Sequence, residues 1–175
     1  METRTMPDVP AKTRTRSYAW GDTKSAAAAA RGLSGKDYLT AIMQGTAPAA
    51  PMADTLAFRL AEVGEGRVVF VCTPAEFHYN PIGSVHGGLA ATLIDSATGC
   101  AVHTVLPAGT GYVTVNFSVD LVRGIGESAG ELRCEGRVVR SGGRIAVADA
   151  EVKGADGTLY ARGTATCLVI RPEKA

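Results

Sequence analysis

The spacing of apolar positions changes along the chain, and each change predicts an element. From Ser34, the run Gly35-Lys-Asp-Tyr-Leu-Thr-Ala-Ile-Met-Gln44 places apolar residues at 38, 39, 42 and 43 and ends against Gly45. A serine N-cap, helical spacing and a terminal glycine predict a short amphipathic helix. Residues 55–63 and 67–73 are apolar-rich runs around Gly64-Glu65-Gly66 and predict a hairpin. Residues 86–106 open with glycines, hold no proline before Pro107, and are long enough to be the one substantial helix. Strands then return. In Tyr112–Leu121 the odd positions from 113 are Val, Val, Phe, Val and Leu, while the even ones are Tyr, Thr, Asn, Ser and Asp. Residues 131–139 repeat this period of two, with Leu132, Cys134, Gly136 and Val138 opposite Glu131, Arg133, Glu135 and Arg137, so one face of the sheet is wet. Ser141-Gly-Gly143 and Gly154-Ala-Asp-Gly157 separate the runs 131–140, 144–153 and 158–170 as hairpin turns.

Two strands, one helix and four strands joined by short connections leave no room for repeated parallel crossovers. The fold class predicted is α+β, a curved antiparallel sheet wrapped around one long central helix, with an extra N-terminal helix. Residues 1–52 read as a tail, short helix and linker, and residues 53–175 as the main domain. The first 25 residues alternate Thr, Arg and Pro and are expected to be mobile. Thr46–Met52, with two prolines and three alanines, reads as the linker.

Composition narrows the function classes. The 175 residues are 46% hydrophobic, with 18 Lys+Arg against 17 Asp+Glu, which describes a soluble domain with no general attraction to nucleic acid or anionic lipid. The longest apolar stretch, Leu89–Leu106, is interrupted by Asp95, Ser96, Thr98 and His103, so no membrane span is expected. The N-terminus lacks an apolar signal core, and Pro7, Pro10 and its acids argue against a transit peptide. The location expected is cytoplasmic. Cysteines at 72, 100, 134 and 167 form no Cys-x-x-Cys pair and read as reduced, buried thiols. His78 and His103 have no acids at ligand spacing, so no metal site is expected.

The chemistry concentrates between Asn80 and Asp95. Asn80-Pro81 and Gly83-Ser84 demand turns, and His86-Gly-Gly88 then opens the helix, leaving free N–H groups near Gly87 and Gly88. Such an end suits an anion or a carbonyl oxygen gaining negative charge. Asp95 lies mid-helix between Leu93-Ile94 and Ala97, where an acid is a poor choice for propensity and for burial. Gly87 or Gly88 is seven or eight residues away, roughly 10–12 Å along a helix. One carbonyl cannot easily touch both. If both act at one centre, two antiparallel copies of the helix must lie side by side, which predicts a homodimer with two shared sites.

The string Asn80-Pro-Ile-Gly-Ser-Val-His86-Gly-Gly-Leu-Ala-Ala-Thr-Leu-Ile-Asp95 resembles the hotdog-fold acyl-CoA thioesterases of the phenylacetate-degradation (PaaI) type, in the 4-hydroxybenzoyl-CoA thioesterase superfamily. The resemblance runs to about Ile170. It implies a hotdog fold, dimers often paired into tetramers, an acyl-CoA substrate, and thioester hydrolysis with neither metal nor organic cofactor. It further implies that Asp95 attacks the thioester or activates water, and that the N–H of Gly87 or Gly88 holds the thioester oxygen. Asn80 would help to position thioester or water, and Thr114 would orient water from the facing strand. His86 would fix the turn by hydrogen bonding. For the nucleotide of coenzyme A, Arg123, Arg140 and Arg144 near strand ends are the candidates.

Two other readings are open: a hotdog acyl-thioester hydratase or dehydratase, and a non-catalytic acyl-CoA-binding or regulatory module. The first needs a catalytic His with an acid in a spacing that His78-Tyr-Asn80 does not reproduce, and the second would not need Asp95. Ser84 or Ser96 beside His86 and Asp95 lacks the strand-to-helix turn of a serine hydrolase, so no nucleophile elbow is expected.

Overall fold

A computed structural model describes residues 12–30 and 32–171 of the chain. The first eleven residues of the tail expected to be mobile lie outside the described residues. From Lys12 the tail has no regular structure until α1 (Thr23–Ala30), which Asp22 caps by accepting the N–H groups of Lys24 and Ser25. The tail is also tied down. Arg16 donates to the carbonyls of Thr55 (2.5 Å) and Asp54 (2.9 Å), and its guanidinium lies 4.0 Å from the centre of the Phe77 ring. Tyr18 and Trp20 stay largely exposed, with ring centres 5.9 Å apart.

α2 (Gly35–Met43) is the predicted amphipathic helix. Ser34 Oγ accepts the N–H of Asp37, and Gly45 follows in a left-handed conformation (φ +74°). The stretch expected to be linker instead ends in a helix, α3 (Pro51–Leu56), which spans the anticipated boundary at residues 52/53. Pro51 stands at its first position, and a proline that breaks a helix interior is well suited to start one. Ala57, in left-handed backbone at φ 51°, ends it.

The strands are β1 (Phe58–Gly64), β2 (Arg67–Cys72), β3 (Gly111–Leu121), β4 (Leu132–Ser141), β5 (Ile145–Lys153) and β6 (Leu159–Ile170). They form one antiparallel sheet in the order β1-β2-β4-β5-β6-β3. The central helix α4 (Gly87–Thr104) lies across one face of this sheet. The predicted order of two strands, one helix and four strands is the order observed.

Small residues let the helix come close. Ala146, Ala148 and Ala150 of β5 and Ala161 and Ala165 of β6 are buried, as are Leu93, Ile94, Ala97 and Val102 on α4. Each large side chain buried there stabilises the fold by roughly 1.5–3 kcal/mol. Thr98, also buried, satisfies its hydroxyl on the Ile94 carbonyl at 2.8 Å. The tightest contact between sheet and central helix is at Gly136 of β4, where an added Cβ would sit 2.2 Å from the carbonyl oxygen of Ala97. On the opposite face of the sheet, Arg67 bridges Glu62 (2.8 Å) and Glu135 (2.5 Å), as the alternation in residues 131–139 predicts.

β3 follows its period of two only in part. The pairing with β6 shifts between Thr114 and Asn116, so Val115 is an extra residue, a β-bulge. Before it, Tyr112 and Thr114 face α4, and beyond it the parity reverses: Val119 packs against the core and Leu121 reaches Gly87. The polar residues of the first half therefore face inward.

Among the described residues, no helix is long and apolar enough to cross a membrane. Cys72, Cys100, Cys134 and Cys167 are all free thiols, and burial pushes Cys72 up to about 11.

Candidate active site

The entry to α4 is built by its turn. Asn80 Oδ1 accepts the N–H groups of Ile82 (3.0 Å) and Ser84 (3.1 Å), its Nδ2 donates to Ser84 Oγ (2.8 Å), and Gly83 takes φ +86°. His86 is the N-cap, and its Nδ1 accepts the N–H of Gly88 at 2.8 Å. That bond separates two candidates that sequence treats alike. The Gly88 donor is used within the chain, whereas the Gly87 N–H has no acceptor among the described residues. Of the two glycines, it is Gly87 whose N–H is left free among the described residues. A Cβ there would lie 2.5 Å from Leu121 Cδ1, so the residue's bareness also keeps β3 close.

Asp95 lies about 12 Å farther along the axis, given eight residues of helix. Its Oδ1 is fully buried and has no hydrogen-bond partner. A buried carboxylate oxygen without a donor is destabilising, which makes Asp95 a candidate for chemistry rather than for packing. The carboxylate opens on a cavity of about 440 Å³ that Ser96, Cys100, Tyr112 and Thr114 also line. Burial, with the neighbouring Cys100, Cys167 and Asp95, holds the Tyr112 phenol well above its usual range, so it stays a neutral hydroxyl. Burial likewise pushes the Cys100 thiol up to about 12, which makes it a poor nucleophile.

The structure thus brings Thr114 to Asp95 in one cavity, and leaves Gly87, His86 and Asn80 together at the other end of the same stretch of helix. Arg123, Arg140 and Arg144 are exposed, and Arg123 lies far from Arg144. Arg123 pairs with the chain at Tyr160 and Arg144 at Val169, nine residues along β6 and so about 30 Å apart. Arg123 therefore cannot share one nucleotide with Arg144 within a single chain, whereas Arg140 and Arg144 flank the same β4–β5 hairpin.

His78 has a different task from any proposed on sequence grounds. Its Nδ1 accepts the N–H of Ala75 (3.0 Å) and its Nε2 donates to the carbonyl of Leu56 (2.8 Å), closing the last turn of α3. The bond that Nδ1 accepts requires a neutral ring, and burial, helped by nearby Arg16, lowers its pKa against the raising effect of the Leu56 carbonyl. The folded state therefore takes up this proton less readily than the unfolded chain. His78 contributes stability that is complete above about pH 6.5 and is lost as pH falls through the lowered folded value. His78→Asn is expected to lose roughly 1–3 kcal/mol at pH 7. Melting curves at pH 7.5 and 5.5 should show the gap to wild type narrowing at the lower pH.

One motif that sequence reading passed over is Gly126-Glu-Ser-Ala-Gly130, which has the serine-hydrolase spacing. It forms a single 3₁₀ turn (Glu127–Ala129) between β3 and β4, with Ser128 exposed and no helix following. It is not a nucleophile elbow. Among the described residues, no group of three or more His, Cys, Asp or Glu is placed to hold a metal ion.

Comparison with known proteins gives this geometry a context. Residues 82–161 match the family model of the thioesterase superfamily. A solved protein of that superfamily is 31% identical, with a TM-score of 0.63, over 78% of this chain and 98% of the other. A phenylacetic acid degradation-related protein of Ralstonia eutropha is 28% identical, with a TM-score of 0.68, over 75% of this chain and 98% of its own. PaaI of E. coli, at 23% identity and a TM-score of 0.67 over 79% and 96% of the two chains, shares the fold. A curated Halobacterium salinarum protein with an esterase name is 40% identical over 72 residues, and the match covers 40% of this chain and 46% of that relative's length. The six-stranded sheet wrapped on α4 is accordingly a hotdog fold, and the chain belongs to the thioesterase superfamily.

Proposed function

We propose that the protein hydrolyses an acyl-CoA thioester to a carboxylic acid and coenzyme A, at two sites shared across a homodimer. The observation that carries this reading is Asp95, which lines a largely apolar cavity and keeps one carboxylate oxygen, Oδ1, buried and unpartnered. In the base-catalysed form, Asp95 takes a proton from water as the oxygen attacks the thioester carbonyl. The C–S bond then breaks and the departing sulfur receives that proton. In the nucleophilic form, Asp95 itself attacks and the C–S bond breaks to release the coenzyme A thiolate. Water then opens the resulting anhydride to give the acid and the Asp95 carboxylate, its spare proton going to the thiolate. Either route builds negative charge on the carbonyl oxygen, for which the Gly87 N–H at the start of α4 is the donor.

Asp95 and Gly87 of one helix are too far apart to serve one carbonyl, so each site takes Asp95 from one protomer and Gly87 from the other. The edge strand β3 supports this arrangement. Val113, Val115, Phe117, Leu121 and Val122 are 43–60% exposed on it or just beyond it, an unusual concentration of apolar surface beside unpaired backbone. Sedimentation is expected to give a species of at least twice the 18.1 kDa chain mass. Val115→Lys should shift it toward monomer and reduce thioester hydrolysis tenfold or more, in the order of a lost shared site. An active monomer would overturn the shared-site reading. The hydratase reading gains no support, since both ring nitrogens of His78 are engaged in holding α3.

A further inference from the structure

We infer that α2 and α3 form the roof of the acyl chamber, and that this N-terminal segment makes the site select an uncharged, apolar acyl group well beyond acetyl in size. The inference rests on the thioesterase reading for its chemistry but on the cavity itself for its geometry. Asp95 and Thr114 lie at one wall of the 440 Å³ space, Phe58 and Phe70 form another, and Ile42, Met43 and Met52 close it from the N-terminal side. Its size lies in the range of small-molecule sites. The other charged side chains along it are Asp54 and Arg59, and Arg59 is turned toward Glu131 at 3.8 Å. Among the described residues that line the cavity, the one cation, Arg59, is thus turned toward Glu131 rather than held ready for a second carboxylate on the acyl group.

The roof is fastened at three points, which separates it from a loose extension. At the start of α2, the Gly35 N–H donates to the Leu106 carbonyl at 3.0 Å, and a Cβ on Gly35 would fall 1.8 Å from the carbonyl oxygen of His103. One turn on, Tyr38 meets His103 edge-on at 6.0 Å, and Leu39 is buried. At the end of α3, the carbonyls of Asp54, Thr55 and Leu56 are held by Arg16 and His78. Between these anchors, the side chains that meet the cavity include two methionines, Met43 at 38% and Met52 at 53% exposure. Flexible thioethers at a half-open wall adapt to a bulky apolar group and gain from covering it. A small acyl group would leave them in water.

The test uses the full chain and S-alkyl-CoA thioethers, which lack the carbonyl and cannot be hydrolysed. Wild type is expected to bind S-decyl-CoA more tightly than S-methyl-CoA by calorimetry. Met43→Trp and Met52→Trp, which fill the chamber from positions that are already part-exposed, should each lower that decyl-to-methyl ratio on the order of tenfold. Two variants guard against one failing to fold, and melting curves identify such a failure. Equal affinity for the two probes in wild type, or a ratio unmoved in both folded variants, overturns the inference. Hydrolysis of decanoyl-CoA by wild type is measured alongside. If decyl binding is preferred and sensitive to the variants while no thiol is released, the chamber stands and the hydrolase reading falls. If thiol is released but the ratio is insensitive, the hydrolase reading stands and the roof assignment falls.

Discussion

Asp95→Asn is expected to lower the rate of thiol release from acyl-CoA substrates by roughly 10²–10⁴-fold, the usual contribution of a positioned base or nucleophile. The amide occupies the same volume but neither takes a proton from water nor attacks a carbonyl. The same change should leave the melting temperature unchanged or raise it, because Oδ1 is buried without a partner and a neutral group is less demanding of solvation. This combination is what distinguishes a working residue from a structural one. A carboxylate kept for packing would give the opposite pair of results, stability lost and rate retained. The measurement is free-thiol release from aryl and fatty acyl-CoA substrates, with wild type and variant matched by thermal unfolding. Activity in Asp95→Asn equal to wild type would remove the mechanism, and no activity in wild type would favour a binding module.

Gly136→Val is expected to be highly damaging to the seam between sheet and central helix. Its Cβ would stand 2.2 Å from the Ala97 carbonyl oxygen and 2.5 Å from the carbonyl carbon, both backbone atoms of α4 that cannot rotate away. The helix would have to lift from the sheet along the seam where its buried face packs. Overpacking of a tight core costs about 1–3 kcal/mol where side chains can yield, and more where only backbone can move. We expect a loss of about 3 kcal/mol or more, seen as a fall in melting temperature of about 10 °C. Thiol release should fall with it even at temperatures where the protein remains folded, since α4 carries both Asp95 and Gly87. A melting temperature within a few degrees of wild type would mean that α4 and β4 are not packed as described.

Much of this was legible from residue order alone. The alternation in residues 131–139 marked the inner and outer faces of β4, and Ser34 with Gly45 marked both ends of α2. Asp95 stood out because nothing else in its helix gave it a wet face. What sequence could not show were contacts between distant segments. Nothing near His78 says that its ring will close a helix ending at Leu56, some twenty residues earlier. Arg16, in a stretch read as mobile, gave no sign of capping α3, because the partner carbonyls belong to backbone and carry no side-chain signal. The choice between Gly87 and Gly88 was likewise hidden, since it depends on which way His86 turns. α3 is hidden for a local reason: Pro51 has the same letter whether it breaks a helix or starts one.

The extra residue at Val115 has a consequence for how β3 relates to other sequences. It divides the strand into two reading frames, one presenting alternate residues to the reaction chamber and the other presenting alternate residues to the core. A substitution at any one position alters one wall, whereas loss of a single residue there would exchange the two walls over half the strand. Two relatives could agree at almost every letter of β3 and still display different side chains to the substrate, if only one of them kept the insertion. For this segment the count of residues carries as much chemical information as their identity.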